Sequence, residues 1–238
     1  MKKNNILFLD FDDVLNSSRS FYKKFAEHHG VEWTDDDFDP KWWDKGHRNY
    51  FAPGFSDKVD EAWEREKKKP GYEFPKLSMY DYPHDEEAIQ NLNKIIEEND
   101  AKVVVCSSWR LGRTVKELQE ILDGWNAKCK VIDRTGSPVK LSQSSTRGME
   151  ILNWIMVHRN EISGICVLDD SAGYDINYIL EKWCVQGISG YYHGLRDIHI
   201  PMAKVCFETP INPLEDFTKF LDPQMIKEAK EKDKKNES

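Results

Sequence analysis

Asn5-Ile6-Leu7-Phe8-Leu9-Asp10-Phe11-Asp12-Asp13-Val14-Leu15-Asn16 is the stretch on which the reading of this chain turns. It opens with a short apolar run, Asn5 to Leu9, that stops abruptly at acidic residues. A continuous apolar run bounded in this way predicts a strand buried on both faces. Asp10 and Asp12 follow where the strand ends and the chain bends, so their side chains need not point to opposite sides. Taken alone, an acidic pair in such a place is more often a solvated turn or a helix cap. Its weight depends on what the rest of the chain sets beside it.

Three further runs look like buried strands: Lys102 to Cys106, Gly164 to Leu168 and Trp183 to Gln186. Cys129 to Ile132 and Ala203 to Phe207 are weaker strand candidates. Helical patterns lie between them. Over Asp85 to Asn99, the apolar positions Ala88, Ile89, Leu92, Ile95 and Ile96 share one helix face. Asp85, Glu86 and Glu87 crowd its first turn, where the helix dipole favours negative charge. A second helix is expected from about Val115 to Trp125, with Thr114 and Glu117 spaced for a capping box. Arg147 to His158 and Tyr174 to Glu181 read as a third and a fourth. Alternating strands and helices predict an α/β fold: a Rossmann-type parallel sheet with helices on both faces. In such sheets ligands sit at the carboxyl ends of the strands, near a topological switch point. Asp10, Ser107 and Asp169 each fall at the end of a predicted strand.

Residues 17–83 break this pattern. They are rich in charge and in aromatics such as Trp33, Trp42, Trp43, Phe55, Trp63 and Tyr80, with few aliphatics. Ser20 to His29 and Asp57 to Lys68 are expected to be helical. The stretch reads as a cap-like insertion over the sheet edge that carries the site, most of its aromatics forming a small second core. The expected organisation is a catalytic core over residues 1–16 and 84–222, the insertion over 17–83, and a polar tail over 223–238. The tail is one exposed helix or a frayed end.

Bulk composition excludes several classes. A formal net charge of -8 and a pI near 5.5 describe an acidic globular chain and disfavour a general polyanion-binding surface. No apolar run approaches the roughly 18 residues of a membrane span. The residues before Asp10 hold too short an apolar run for a signal-peptide core, and no membrane partner is expected. The 5 cysteines are widely spaced, lack zinc-ligand patterns, and read as reduced thiols of a cytoplasmic protein. The histidines show no metal spacing; Asp35-Asp36-Asp37 lacks the Gly and Glu of a calcium loop and reads as a solvated turn. Gly187 to Gly194 reads as a loop near the site.

The strand-end residues suit one kind of chemistry. Phosphate monoesters hydrolyse so slowly that accelerations on the order of 10²¹ are required. The parts needed are a nucleophile, an acid for the leaving oxygen, and positive charge around the phosphoryl oxygens. A carboxylate nucleophile such as Asp10 splits the reaction into two steps through an aspartyl-phosphate. A second carboxylate such as Asp12 can protonate the leaving group and then activate water. Magnesium takes oxygen ligands, and Asp169 with Asp170 is suited to complete its shell.

Phe8-Leu9-Asp10-Phe11-Asp12-Asp13-Val14-Leu15 resembles the first motif of the haloacid dehalogenase (HAD) superfamily, a strand followed by D-x-D-x-T/V-L. Val103 to Ser108 is similar to its second motif, a strand ending in Ser or Thr, and Ile165 to Asp170 to its fourth, a strand ending in paired acids. Ser107-Ser108-Trp109-Arg110 and the segment from Arg147 to Ile155 resemble a branch found in RNA-repair multidomain proteins and in stand-alone bacterial and phage proteins. The resemblance implies a HAD-type phosphatase that uses Mg²⁺. Asp10 would be nucleophile and metal ligand; Asp12 would be the general acid/base, its backbone carbonyl on the metal. Asp169 and Asp170 would complete the metal site, and Ser107 or Ser108 would hydrogen-bond the transferring phosphoryl group. The superfamily's third motif supplies a cation, for which Arg147 is the first candidate and Lys140 the alternative. Arg147 opens a predicted helix, where the dipole disfavours a cation, and an unfavourable placement invites a functional reason. Arg110 resembles an Arg similarly placed in polynucleotide kinase-phosphatases, and its fork suits bidentate phosphate contact; an inter-element salt bridge is the other reading. The implied substrate is a nucleotide or a nucleic-acid terminal phosphate, possible oligonucleotide ends included. The alternatives are a small-metabolite phosphatase, a phosphotransferase, and a catalytically silent phosphate-binding module.

Overall fold

Strand β1 (Asn4–Leu9) runs through the middle of a 4-stranded sheet. The computed structural model describes residues 3–28, 30–37, 52, 54–70, 84–136, 146–171, 175–188 and 194–236. β2 (Ala101–Val105), β3 (Val131–Arg134) and β4 (Ile162–Leu168) complete the sheet in the order β3-β2-β1-β4, and every pairing is parallel. The apolar runs are continuous because both faces are covered. Leu7, Leu9, Val103, Val105, Cys166 and Leu168 enter one core, and Ile6, Phe8, Val104, Ile165 and Val167 enter the other.

Nine α-helices are described: α1 (Ser18–His28), α2 (Phe55–Lys67), α3 (Glu86–Asn99), α4 (Val115–Gly124), α5 (Arg147–His158), α6 (Asp175–Leu180), α7 (His199–Glu208), α8 (Pro213–Asp216) and α9 (Pro223–Asn236). Apolar faces of α3, α4 and α7 fill the first core, and those of α5 and α6 fill the second. The helix starts follow local chemistry. The Asp85 carboxylate caps α3 by accepting from the backbone of Glu87 at 3.0 Å and Ala88 at 3.3 Å. Thr114 and Glu117 form the expected capping box ahead of α4. Among the described residues no helix is long and apolar enough to cross a membrane.

Two strand expectations are corrected. Ala203 to Phe207 lies in α7, where Ala203, Cys206 and Phe207 are buried on one side while Lys204 and Val205 are exposed. That is a helical face, and Pro201 sits in the first turn, where its missing N–H costs nothing. Trp183 falls in a 3₁₀ turn (Glu181–Trp183), and of the predicted fifth strand only a bridge from Cys184 to Val167 forms. The tail is helical in α9, and Arg159 donates to the Ala229 carbonyl at 3.2 Å.

Within the expected insertion, Ala26 and Phe55 make a small cluster with Val31, Trp33 and Ala52. Trp42, Trp43 and Tyr80 lie outside the described residues, as does most of the loop from Gly187 to Gly194. The chain leaves the sheet after β1, and where the described residues resume ahead of α3 the Asp85 amide donates to the Leu15 carbonyl at 2.7 Å.

Register sets the strand ends level. Leu9 pairs with Val105 on one side and with Leu168 on the other. The Asp10 amide donates to the Leu168 carbonyl at 2.9 Å, and the Cys106 amide to that of Leu9 at 3.0 Å. β1 is also the switch point, since the chain moves from it to β2 and β3 and then crosses back to β4.

The sheet and α7 meet closely at Gly164 on β4. A Cβ there would collide with the Phe207 carbonyl oxygen and lie 3.0 Å from Asn5 Oδ1. Gly164→Ala is expected to lower stability by about 1–3 kcal/mol, read as a lower urea midpoint. An unchanged midpoint would mean that α7 can shift away from the sheet.

Candidate active site

Asp10, the first residue beyond β1, is 3% exposed. Its Oδ1 accepts from the Phe11 amide at 2.8 Å, and its Oδ2 accepts from Arg147 Nη1. The same Nη1 donates to Asp169 Oδ2 at 2.7 Å, so one guanidinium bridges the ends of β1 and β4. Asp169 is fully buried and accepts from the Ser171 amide at 2.9 Å. The hydroxyl of Ser107, also buried, hydrogen-bonds the Asp10 carboxylate.

Asp10, Asp169 and Asp170 bring a ligand oxygen each within 4.8 Å of one another. Burial, followed by the charge of Asp169, pushes the Asp10 carboxyl up to about 6, with Arg147 opposing. Burial, then Asp13 and Asp10, pushes Asp170 to about 6 as well. Asp169 is raised by burial against the pull of Arg147. Burial opposes the charge of Arg147, but Asp10 and Asp169 outweigh it and hold the guanidinium protonated. One guanidinium does not balance three carboxylates. The surplus negative charge and the all-oxygen donor set fit a hard divalent cation.

Asp12 stands apart in its partners. Beyond β1 the chain folds into a turn in which the Leu15 amide donates to the Phe11 carbonyl at 2.9 Å and Asp13 takes a left-handed φ of 60°. Asn16 holds the turn from inside: its Oδ1 accepts from the Asp13 amide at 2.7 Å, and its Nδ2 donates to Asp12 Oδ1 at 3.3 Å. Trp109 Nε1 donates to the same Oδ1 at 2.8 Å. The exposed Ser108 hydroxyl approaches Asp12 Oδ2 at 3.4 Å. Ser107 therefore faces Asp10 and Ser108 faces Asp12.

Arg110 has the partners of the inter-element salt bridge, the other reading open for it. It is 6% exposed, and its guanidinium donates to the carbonyls of Thr135, Cys106 and Ser107 and to the Glu150 carboxylate. A fork committed in this way braces the ends of β2 and β3 against α5. Lys140 lies outside the described residues. Trp109 and Asn16 are the site residues that sequence reasoning passed over. The signal for Trp109 was its place beside the strand-end serines, because a buried indole N–H must find an acceptor.

A parallel sheet with Asp10 at its switch point, Ser107 and Asp169 level with it on the neighbouring strands, and helices on both faces defines a HAD-type hydrolase domain. The chain belongs to the family described as the HAD domain in Swiss Army Knife RNA repair proteins, which it matches over residues 6–196. A crystal structure of a HAD-superfamily hydrolase from Ehrlichia chaffeensis is similar at 15% identity with a TM-score of 0.34, over 86% of this chain and 99% of that one. No curated protein matches the chain.

The carboxylate cluster has a consequence for pH. Asp10 and Asp170, ordinarily near 3.8, are raised to about 6 in the fold. The folded state keeps protons that the unfolded chain has released, so the stability these groups contribute is present below about pH 4 and is lost as pH rises through about 6. A divalent cation held by these carboxylates would take the place of the lost protons. Magnesium is expected to raise the thermal midpoint by several degrees at about pH 7.5 and by much less at about pH 5. Scanning calorimetry showing equal shifts at both pH values, or none, would count against a cation site here.

Proposed function

We propose that this chain is a magnesium-dependent phosphohydrolase in which Asp10 is the nucleophile and Asp12 the general acid/base. One observation carries the reading: two carboxylates at one strand end have been given different partners. Asp10 is buried against the charge of Arg147 and the hydroxyl of Ser107, whereas Asp12 leans on neutral donors, Trp109, Asn16 and Ser108. Environments that differ in this way assign different roles to like groups. Asp10 attacks the phosphorus to give an aspartyl-phosphate while Asp12 protonates the departing oxygen. Asp12 then takes a proton from the water that attacks the intermediate. Arg147 and Ser107 steady Asp10 and the phosphoryl oxygens.

Asp10, Asp169 and Asp170, with the Asp12 carbonyl, would hold Mg²⁺, which when bound supplies positive charge to the phosphoryl group. The substrate proposed is a nucleotide or a nucleic-acid terminal phosphate, supported by membership of a family named for RNA repair proteins. A small phosphorylated metabolite is the second reading, favoured by the net charge of -8, which disfavours a long polyanion. Residues 17–83 are proposed as the cap, because the chain departs at Leu15 and comes back at Asp85 beside the Asp10–Asn16 turn. The five free thiols suit a reducing compartment such as the cytoplasm.

Magnesium-dependent release of phosphate from an aryl phosphate is expected to fall to background in Asp10→Asn, and by roughly 10²–10⁴-fold in Asp12→Asn. Equal turnover in Asp10→Asn would sink the nucleophile assignment. A screen of nucleoside monophosphates, sugar phosphates and 3′- or 5′-phosphorylated oligonucleotides separates the substrate readings. Oligonucleotides turned over no better than mononucleotides would remove support for the repair-type substrate.

A further inference from the structure

Trp109 is held more firmly than a packing role requires. Its side chain is 2% exposed and meets Phe11 edge-on at 5.6 Å and Trp125 at 5.5 Å, and Phe11 and Trp125 meet each other at 5.7 Å. Its backbone is tied as well. The amide donates to Ser107 Oγ at 3.3 Å, and the carbonyl accepts from Arg113 at 2.6 Å. With ring and backbone fixed, the indole N–H points in one direction, and there it meets Asp12 Oδ1 at 2.8 Å.

Asn16 Nδ2 reaches the same oxygen at 3.3 Å. A carboxylate oxygen offers about two lone-pair sites, and at Oδ1 both face N–H donors. Among the described residues Oδ2 meets only the exposed Ser108 hydroxyl, at 3.4 Å, a group that can rotate away. The two oxygens of Asp12 are therefore unlike.

We infer that Trp109 is the positioning residue for Asp12: its indole N–H, with Asn16, holds Oδ1 and leaves Oδ2 as the oxygen that carries the proton. The inference rests on the phosphohydrolase reading. In the first step Oδ2–H gives its proton to the leaving oxygen as the P–O bond breaks and the Asp10–phosphorus bond forms. In the second, Oδ2 takes a proton from water as the water oxygen bonds to phosphorus and the Asp10–phosphorus bond breaks. Trp109 touches neither substrate nor reacting atom; it fixes the direction in which the proton travels.

The test compares leaving groups. Trp109→Phe keeps a ring in the aromatic cluster and removes the N–H. kcat/KM reports the first irreversible step, departure of the leaving group. With a nucleoside monophosphate, whose sugar alkoxide must be protonated, kcat/KM is expected to fall roughly 10- to 100-fold. With 2,4-dinitrophenyl phosphate, whose phenolate leaves without a proton, it should stay within about threefold of wild type, because the general-acid contribution is not needed. Asp12→Asn should show the same preference more strongly. Should Trp109→Phe fold poorly by circular dichroism, Trp109→3-benzothienylalanine keeps the bicyclic shape and replaces N–H with sulfur. An equal loss on both substrates, or no loss on either, in the folded variant overturns the positioning role while leaving the phosphohydrolase reading intact. A wild-type chain inactive on both substrates with magnesium overturns that reading and this inference with it.

Discussion

The guanidinium of Arg147 spans Asp10 and Asp169, and the arrangement of the sheet edge depends on it. Parallel pairing sets the ends of β1 and β4 level, which puts two buried carboxylates side by side. Buried like charges repel, and each has lost its hydration. A cation shared between them offsets both costs only if it approaches from a fixed direction. That direction comes from the start of α5, where the helix dipole alone would disfavour a positive side chain. The placement is unfavourable for the helix and favourable for the sheet edge, and the sheet edge decides it.

The first turn of α5 carries a second ion pair. Glu150, one turn beyond Arg147 and on the same side of the helix, pairs with Arg110. Arg110 in turn collects carbonyls from the ends of β2 and β3. One helical turn thus docks against the carboxyl edge through two charges of opposite sign, Arg147 toward β1 and β4 and Glu150 toward β2 and β3. Neither pair can be formed without approximately the register the other requires. A charge network of this kind contributes specificity of arrangement more dependably than net stability.

Much of this was legible in the residues. The buried runs at Asn5–Leu9, Lys102–Cys106 and Gly164–Leu168 announced strands because burial on both faces leaves no polar alternation. Arg147 could be singled out because its place was wrong for a helix start. The failures have physical causes. Ala203–Phe207 is a short apolar run, and over that length a helix face and a strand look alike until the burial of Ala203, Cys206 and Phe207 is known. Trp183–Gln186 stays beside the sheet but contributes only a bridge at Cys184. Two readings stood open for Arg110 because a guanidinium fork suits carbonyls and a carboxylate as well as it suits phosphate, and its described partners are carbonyls and Glu150. The link from Trp109 to Asp12 joins residues 97 apart. No local pattern encodes such a contact; it exists because β1 and β2 are neighbours.

The hydrogen bond from Asp85 to Leu15 brings together the two ends of a long excursion. Around it, Ser17 Oγ and Arg196 both donate to the Asp85 carboxylate, and Lys24 donates to the His84 carbonyl. These contacts tie the described residues at the two ends of the excursion to the core. For a closed loop, the entropy of joining the ends grows only with the logarithm of length. A change in the length of the segment between them therefore costs little in closure entropy as long as these contacts hold. The contacts around Asp85 act as a clasp: they hold the two ends of the excursion together without drawing on the strand pairing itself.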